Sequence, residues 1–175
     1  RIFIIRSGDS NKFRRIKNFD KLKKFSAGSG HDWLDSEILA YNGINVIKSS
    51  NYEGLFMMLR VKRFDYFPRG VNEAFDEVES RKSKFSDIEV EQGIAFHYPF
   101  PVYFFVNKDN VLLAERIEKG LRAAIDDGSF QKLFNRYNGA YIKRASVWKR
   151  KIIRLKNPLL TEETPLWEKQ LWLGW

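Results

Sequence analysis

Two stretches carry residue types suited to ligand chemistry: Gly28-Ser29-Gly30-His31 and Pro68-Arg69-Gly70-Val71-Asn72. In the first, two glycines flank a serine just ahead of a run with helical spacing. Such a turn permits positive φ and close backbone approach. The unpaired N–H groups at a helix start make Ser29 and Gly30 a cradle for a carboxylate or phosphate. The plain alternative is a tight strand–helix turn with a capping residue. His31 either donates to a ligand from this loop or is a solvated loop histidine. In the second stretch, Arg69 can form a bidentate pair with a ligand carboxylate, or an ion pair with Glu73 or Asp76. Asn72 closes the same loop. Tyr52 and Tyr98 offer rings for stacking on a ligand, although aromatics at helical spacing also fill cores. Tyr98 ranks higher, because Pro99 and Pro101 make its surroundings a rigid extended connector.

Other chemistries find little support. His31 and His97 are the two histidines and have no HxxxH or HxH spacing, so zinc is not expected. There is no cysteine, which excludes disulfides, thiolate metal sites and a cysteine nucleophile. No GxSxG elbow, P-loop lysine motif or obvious acid pair is present. Ser29 and His31 are neighbours in sequence, but residues two apart in a turn need not face each other. No cofactor or metal is expected, and the reading is non-enzymatic.

The chain has 175 residues, 43% of them hydrophobic and 15% aromatic, enough for one domain or two small lobes with a packed core. Net charge is +9. The excess lies in KFRRIK, KLKK, VKR, KRASVWKRK and RLK and forms no single dense tract. A solvated basic surface and a field that attracts anions both fit. No apolar run approaches the ~20 residues of a membrane span. Arg1 opens directly into Ile-Phe-Ile-Ile, a strand-like run. We therefore expect any leader and an upstream portion to precede it.

The elements around these stretches centre on Ser49–Asn72. Ser50 and Glu53 have capping-box spacing, and Tyr52, Leu55, Phe56 and Leu59 then form one helical stripe. Phe64–Phe67 reads as a short strand that should stop at Pro68. Before this region, RIFIIR and Ile44–Lys48 read as strands, with Phe25–Ala27 a shorter one. Asp32 is the expected N-cap of a helix through Trp33, Leu34, Ile38 and Tyr41, closed by Asn42-Gly43. After it come a helix over Val71–Glu79, short strands at Ile88–Val90 and Ile94–Phe96, and VYFFV at 102–106, the most strand-like run. Two helices follow, stopped by Asp127-Gly128 and Asn138-Gly139. Ile152–Leu155 reads as a last strand. Alternation of strands and helices predicts βαβ units and a mostly parallel sheet. In such sheets ligands sit outside the carboxyl ends of the strands.

SAGSGHDWLDSEIL, NYEGLFMMLRVKRFDYF, VNKDN and IEKGLRAAIDDGSFQKLFNRYNG, taken in this order, resemble the type 2 periplasmic solute-binding proteins. That family includes the amino-acid-binding components of ABC importers. The resemblance runs from about Arg1 to Arg150, with Lys62-Arg63-Phe64-Asp65 standing where a glycine-containing form is usual. It implies an α/β fold of two lobes joined by crossing strands, with the first lobe incomplete in this chain. Residues 1–6 would be a crossover strand and 7–97 the second lobe. Residues 98–150 would be the return crossover and the rest of the first lobe, and 151–175 a tail packed on the surface. The implied function is extracytoplasmic, periplasmic capture of a small amino acid or organic acid for an ABC permease or a membrane sensor. The implied form is a monomer with no nucleic-acid partner. The family's α-carboxylate loop falls on Ser29. Arg69-Gly70 stands where the acid that accepts a ligand ammonium is expected, which favours an anionic or polyfunctional ligand. Two rivals stay open: a dehydratase-type enzyme on the same fold, and a basic nucleic-acid-binding module.

Overall fold

Ile2–Arg6 forms β1, and all five of its residues are buried. A continuous apolar run of this kind belongs to a strand covered on both faces. The computed structural model describes residues 1–172; Leu173, Gly174 and Trp175, the end of the expected tail, lie outside them. On one side β1 pairs antiparallel with β4 (Phe67–Arg69), and on the other with β5 (Ile88–His97). The far side of β5 pairs in parallel with β6 (Lys151–Arg154). β2 (Ala27–Gly30) and β3 (Val46–Ser49) form a parallel pair. A bridge from Ala27 to Tyr66 joins that pair to the approach of β4. The spatial order is therefore β3-β2-β4-β1-β5-β6, with β1 reversed at its centre. The expectation of a mostly parallel sheet holds except at β1.

Seven α-helices accompany the strands among the described residues. They are α1 (Ser10–Arg14), α2 (Phe19–Leu22), α3 (Leu34–Tyr41), α4 (Tyr52–Arg60), α5 (Ala74–Ser80), α6 (Val111–Asp126) and α7 (Ser129–Ala145). One face of the sheet buries Phe3, Ile5, Phe13, Leu22, Ile38, Tyr66 and Phe96. The other buries Ile2, Ile4, Leu55, Phe56, Leu59, Phe67 and Phe85. Alternate residues of β1 thus feed opposite cores, as the two-residue period of a strand requires. The buried Arg6 ties the far end together. Its Nε donates to Asp9 at 2.6 Å, and Nη1 donates to the carbonyls of Leu59 and Phe64 at 2.5 and 2.8 Å. It thereby adds a charged donor to a carbonyl in the last turn of α4, which also accepts from the Lys62 N–H at 3.1 Å.

Several local readings need correction. Pro68 lies inside β4, opposite Phe3. By then the bridge to β2 has ended at Tyr66, so Pro68 can stand at a non-hydrogen-bonded position where its missing N–H costs nothing. The two short strands expected at 88–90 and 94–96 are one strand, β5, whose register against β1 shifts between them. Glu91 makes that irregularity possible by accepting from the N–H groups of Gly93 and Ile94, both at 2.7 Å. Asn51, not Ser50, caps α4, accepting from Gly54 N–H at 2.8 Å. Trp33 occupies the N-cap position of α3 in place of Asp32 and makes no side-chain cap. Asn42-Gly43 and Asp127-Gly128 end their helices as expected, with Gly43 and Gly128 at positive φ. Asn138-Gly139 does not: α7 runs on to Ala145.

The largest departure is at 102–106. VYFFV has strand composition but pairs with no strand among the described residues. Its side chains face outward, Phe105 being 92% exposed. β-Propensity reports fit to a pleated neighbour, and no neighbour is there. Beyond it, α6 buries no residue at all. β6 lies within the main sheet, so the last stretch is only partly a surface tail. From 155 onward the chain returns across Asn42, whose side chain binds the Lys156 backbone. It then reaches α6, where Glu168 pairs with Arg122 at 3.0 Å. No helix among the described residues is long and apolar enough to cross a membrane.

Candidate functional site

The carboxyl ends of β2, β4 and β5 and the N-termini of α3 and α5 all open to the same edge of the sheet, as a parallel α/β arrangement dictates. Each sequence-derived site residue sits near this edge, but they divide into a sealed corner and an open mouth.

Ser29 is only 2% exposed, inside β2 and not in a loop. Its hydroxyl lies 2.8 Å from Ser36 Oγ and can donate to it, while Ser36 donates its one hydroxyl proton to the Gly30 carbonyl at 2.7 Å. The flanking glycines do not have positive φ. They are small for a different reason. A Cβ at Gly28 would stand 2.2 Å from the Phe64 ring, and one at Gly30 would stand 2.4 Å from the Trp33 indole. The close approach that the sequence predicts is therefore of aromatic rings on backbone.

Trp33 is the centre of this corner. It stacks on Phe67 at 6.0 Å between centroids and meets Tyr52 at 6.2 Å. The Arg69 guanidinium lies over the Trp33 ring at 4.5 Å, a cation–π contact. Arg69 also donates to Glu77 through Nε and Nη2, at 2.6–2.9 Å, with Glu73 a further 3.3 Å partner. Its side chain is 12% exposed. Burial opposes the Arg69 charge, but Glu77 outweighs that and raises its pKa. Tyr52 donates to the same Glu77 at 2.6 Å. Burial first, and then this hydrogen bond, push the Tyr52 phenol up to about 12. Of the two partners named for Arg69 in the ion-pair alternative, Glu73 is in reach and Asp76 lies nearer to Arg144; the main partner, Glu77, was not named. The two chemistry-bearing stretches do come together, but through an aromatic plug and not a shared groove. His31 stands outside it, exposed, with Asp32 at 3.9 Å and its backbone N–H bound to Ser49. Nothing pairs His31 with Ser29.

The mouth lies beside this corner. Arg1, at the start of β1, donates through Nε and Nη2 to Asp35 at 2.7 and 2.9 Å. Tyr98 donates to the same Asp35 oxygen that receives Arg1 Nε. Burial alone would raise the Asp35 carboxyl, yet the Arg1 charge and the two donors hold it below the usual carboxylate range. Burial pushes the Tyr98 phenol up; Arg1 opposes this and Asp35 adds to it. Glu73 lies 3.9 Å from Arg1 and accepts from the Gly70 N–H at 2.7 Å. Phe100 packs against the Arg1 guanidinium at 5.5 Å.

This cluster borders a cleft of about 1280 Å³. Arg1, Gly70, Asn72, Tyr98 and Phe100 line one wall, and apolar residues of α6 such as Ile117 and Leu121 line the other. Asn72, which is exposed, and Tyr98, which is 8% exposed and packs in the core, are therefore the predicted site residues that line this cleft, whereas Ser29, Gly30, His31, Tyr52 and Arg69 do not. Arg1 and Asp35 were missed by sequence reasoning. They join through space residues 34 and 97 positions apart, and no local motif marks such a pair. Among the described residues no cluster of His, Asp or Glu is arranged to hold a metal ion.

No family model matches the chain, and no curated protein matches it. Solved structures do. It is similar to an ancestral arginine-binding protein bound to arginine, at 22% identity and TM-score 0.46 over 78% of this chain and 58% of that one. An ancestral arginine-binding protein bound to glutamine gives 22% identity and TM-score 0.48, over 79% and 59%. A cysteine-binding protein from Campylobacter jejuni gives 16% identity and TM-score 0.45, over 80% and 53%. The chain spans less than three fifths of the length of the arginine-binding structure.

Proposed function

We propose that this chain is the ligand-closing part of an extracytoplasmic solute-binding protein that captures a small amino-acid-like or organic-acid ligand. The observation that carries the reading is the mouth itself. Arg1, Asp35 and Tyr98, bound to one another, meet Gly70, Asn72 and Glu73 where the strands end and the connector leaves the sheet. One cationic side chain, two carboxylates and one amide around a single opening suit a ligand that carries both charge and hydrogen-bonding groups, such as a zwitterion. In this reading Glu73, which accepts from the Gly70 N–H and lies 3.9 Å from Arg1, is the carboxylate nearest the place that Arg69-Gly70 left in question. The order of sequence motifs supports the same reading.

In this proposal, residues 98–106 cross to a first lobe that the chain contributes to only through α6 and α7. Ligand favours the closed arrangement because it touches both sides, so it shifts the open–closed population by its differential affinity. An ABC permease or a membrane sensor would read the closed form. A thermal-shift screen against amino acids, organic acids and small peptides tests this. Ligand at about 100 times its Kd should stabilise the protein by about 2.7 kcal/mol. Asn72→Ala should weaken that response and Ser29→Ala should leave it. If no compound of these classes shifts the melting transition, the proposal fails.

A further inference from the structure

The basic residues read as scattered along the chain are gathered by the fold. Residues 12–24 contain seven Lys or Arg and one acid, and residues 143–156 contain seven and none. Together they exceed the whole chain's net charge, so the remainder is net acidic. The two segments are neighbours in space. Lys151 Nζ donates to the Lys17 carbonyl. Phe13, Ile16 and Leu22 of the first share a core cluster with Ile153 and Leu155 of the second. Of the nearby carboxylates, Asp9 is engaged by Arg6 and Lys12, Asp76 by Arg144 and Glu91 by Arg150, while Glu79 and Glu89 share a small pocket with Arg14 and Arg144 at the margin of this face. Asp20 lies 3.6 Å from Lys23. Among the described residues, Arg14, Arg15, Lys17, Lys24, Lys149 and Lys151 make no ion pair and are exposed. Trp148, 63% exposed, stands next to Lys149 in the chain, in the turn that leads into the edge strand β6.

We propose that this face, built from α1, α2 and β6 with Trp148, docks the protein on an anionic lipid bilayer. Unpaired cations held on one side of a body are drawn to a negatively charged surface. An indole beside them suits the headgroup layer, where an apolar ring and a polar N–H are both accommodated. The face is separate from the cleft lining, so the inference does not rest on the ligand reading.

Vesicle co-sedimentation tests it, using phosphatidylcholine with about one quarter phosphatidylglycerol against phosphatidylcholine alone. The chain should bind the anionic vesicles and not the neutral ones, and should come off at roughly half-molar salt, where screening is nearly complete. Lys149→Gln with Lys151→Gln should weaken binding about thirty-fold. Lys108→Gln with Lys119→Gln removes the same charge elsewhere and should change it less than about two-fold. Tryptophan fluorescence should shift to the blue on binding and lose that shift in Trp148→Ala. Equal losses in the two double variants, equal binding to neutral vesicles, or binding to an RNA duplex without binding to vesicles would each overturn the proposal.

Discussion

The sheet and the α6–α7 pair follow the same pattern rules to opposite results. In the sheet, apolar periodicity meets a partner: β1 is buried from end to end and α4 buries Leu55, Phe56 and Leu59. In α6 the stripe of Leu113, Ile117, Leu121 and Ile125 is as regular, yet no residue of the helix is buried. From 99 to 144 no residue is buried at all. A helical stripe reports that the chain has an apolar face; the face's partner is not written in the stripe. Exposed apolar surface of this extent marks an interaction site, consistent with the proposal that these helices belong to a lobe completed elsewhere.

The contrast can be broken or sharpened by measurement. Phe3→Ala, which removes a ring in contact with three others, should cost ~3–5 kcal/mol by urea unfolding. Leu112→Ala in α6 should change stability by less than ~0.5 kcal/mol; a comparable loss at both positions would erase the distinction. Arg69→Ala comes next, at ~3 kcal/mol, because it strands the largely buried Glu77 carboxylate. The double change Arg69→Met with Glu77→Leu should recover most of that. Were Arg69 exposed to ligand and not structural, Arg69→Ala would leave stability intact. Gly30→Ala should cost ~1–3 kcal/mol through overpacking against Trp33 and should alter tryptophan fluorescence.

The smallest effect is one of pH. The folded-state pKa of Asp35 is depressed, with Arg1 and Tyr98 overcoming burial. Its contribution is therefore fully present above the unfolded value of about 3.9 and is lost as pH falls through the folded one. Urea midpoints at about pH 5 and pH 3 should differ less in Asp35→Asn than in the parent. An unchanged difference would remove Asp35 from the acid response.

What could be read in advance follows from the same contrast. β1, β3, α4, α5 and both long helices were legible, because each is declared by its own period or caps. VYFFV at 102–106 was misread since a strand needs a second strand, and composition does not supply one. Pro68 misled for the converse reason: its tolerance depends on which of its two sides is paired. Around the cleft, Tyr98 was legible as a connector residue at a strand end and Asn72 as the close of the loop after Arg69. Ser29 was misplaced because Gly-Ser-Gly looks alike whether backbone or an indole fills the space. The Arg1–Asp35–Tyr98 cluster was invisible, since its members lie far apart in sequence and carry no shared spacing.

The parallel pairing of β5 with β6 has a consequence for how the molecule is made. Ile94 waits for Lys151 and His97 for Arg154, with both long helices synthesised in between. A chain emerging from the ribosome must hold the outer margin of β5 unpaired until that last partner arrives. Such long-range closure slows folding and leaves a bare margin open to mispairing meanwhile. A nascent chain stopped short of Lys151 should therefore be the species that chaperones hold longest.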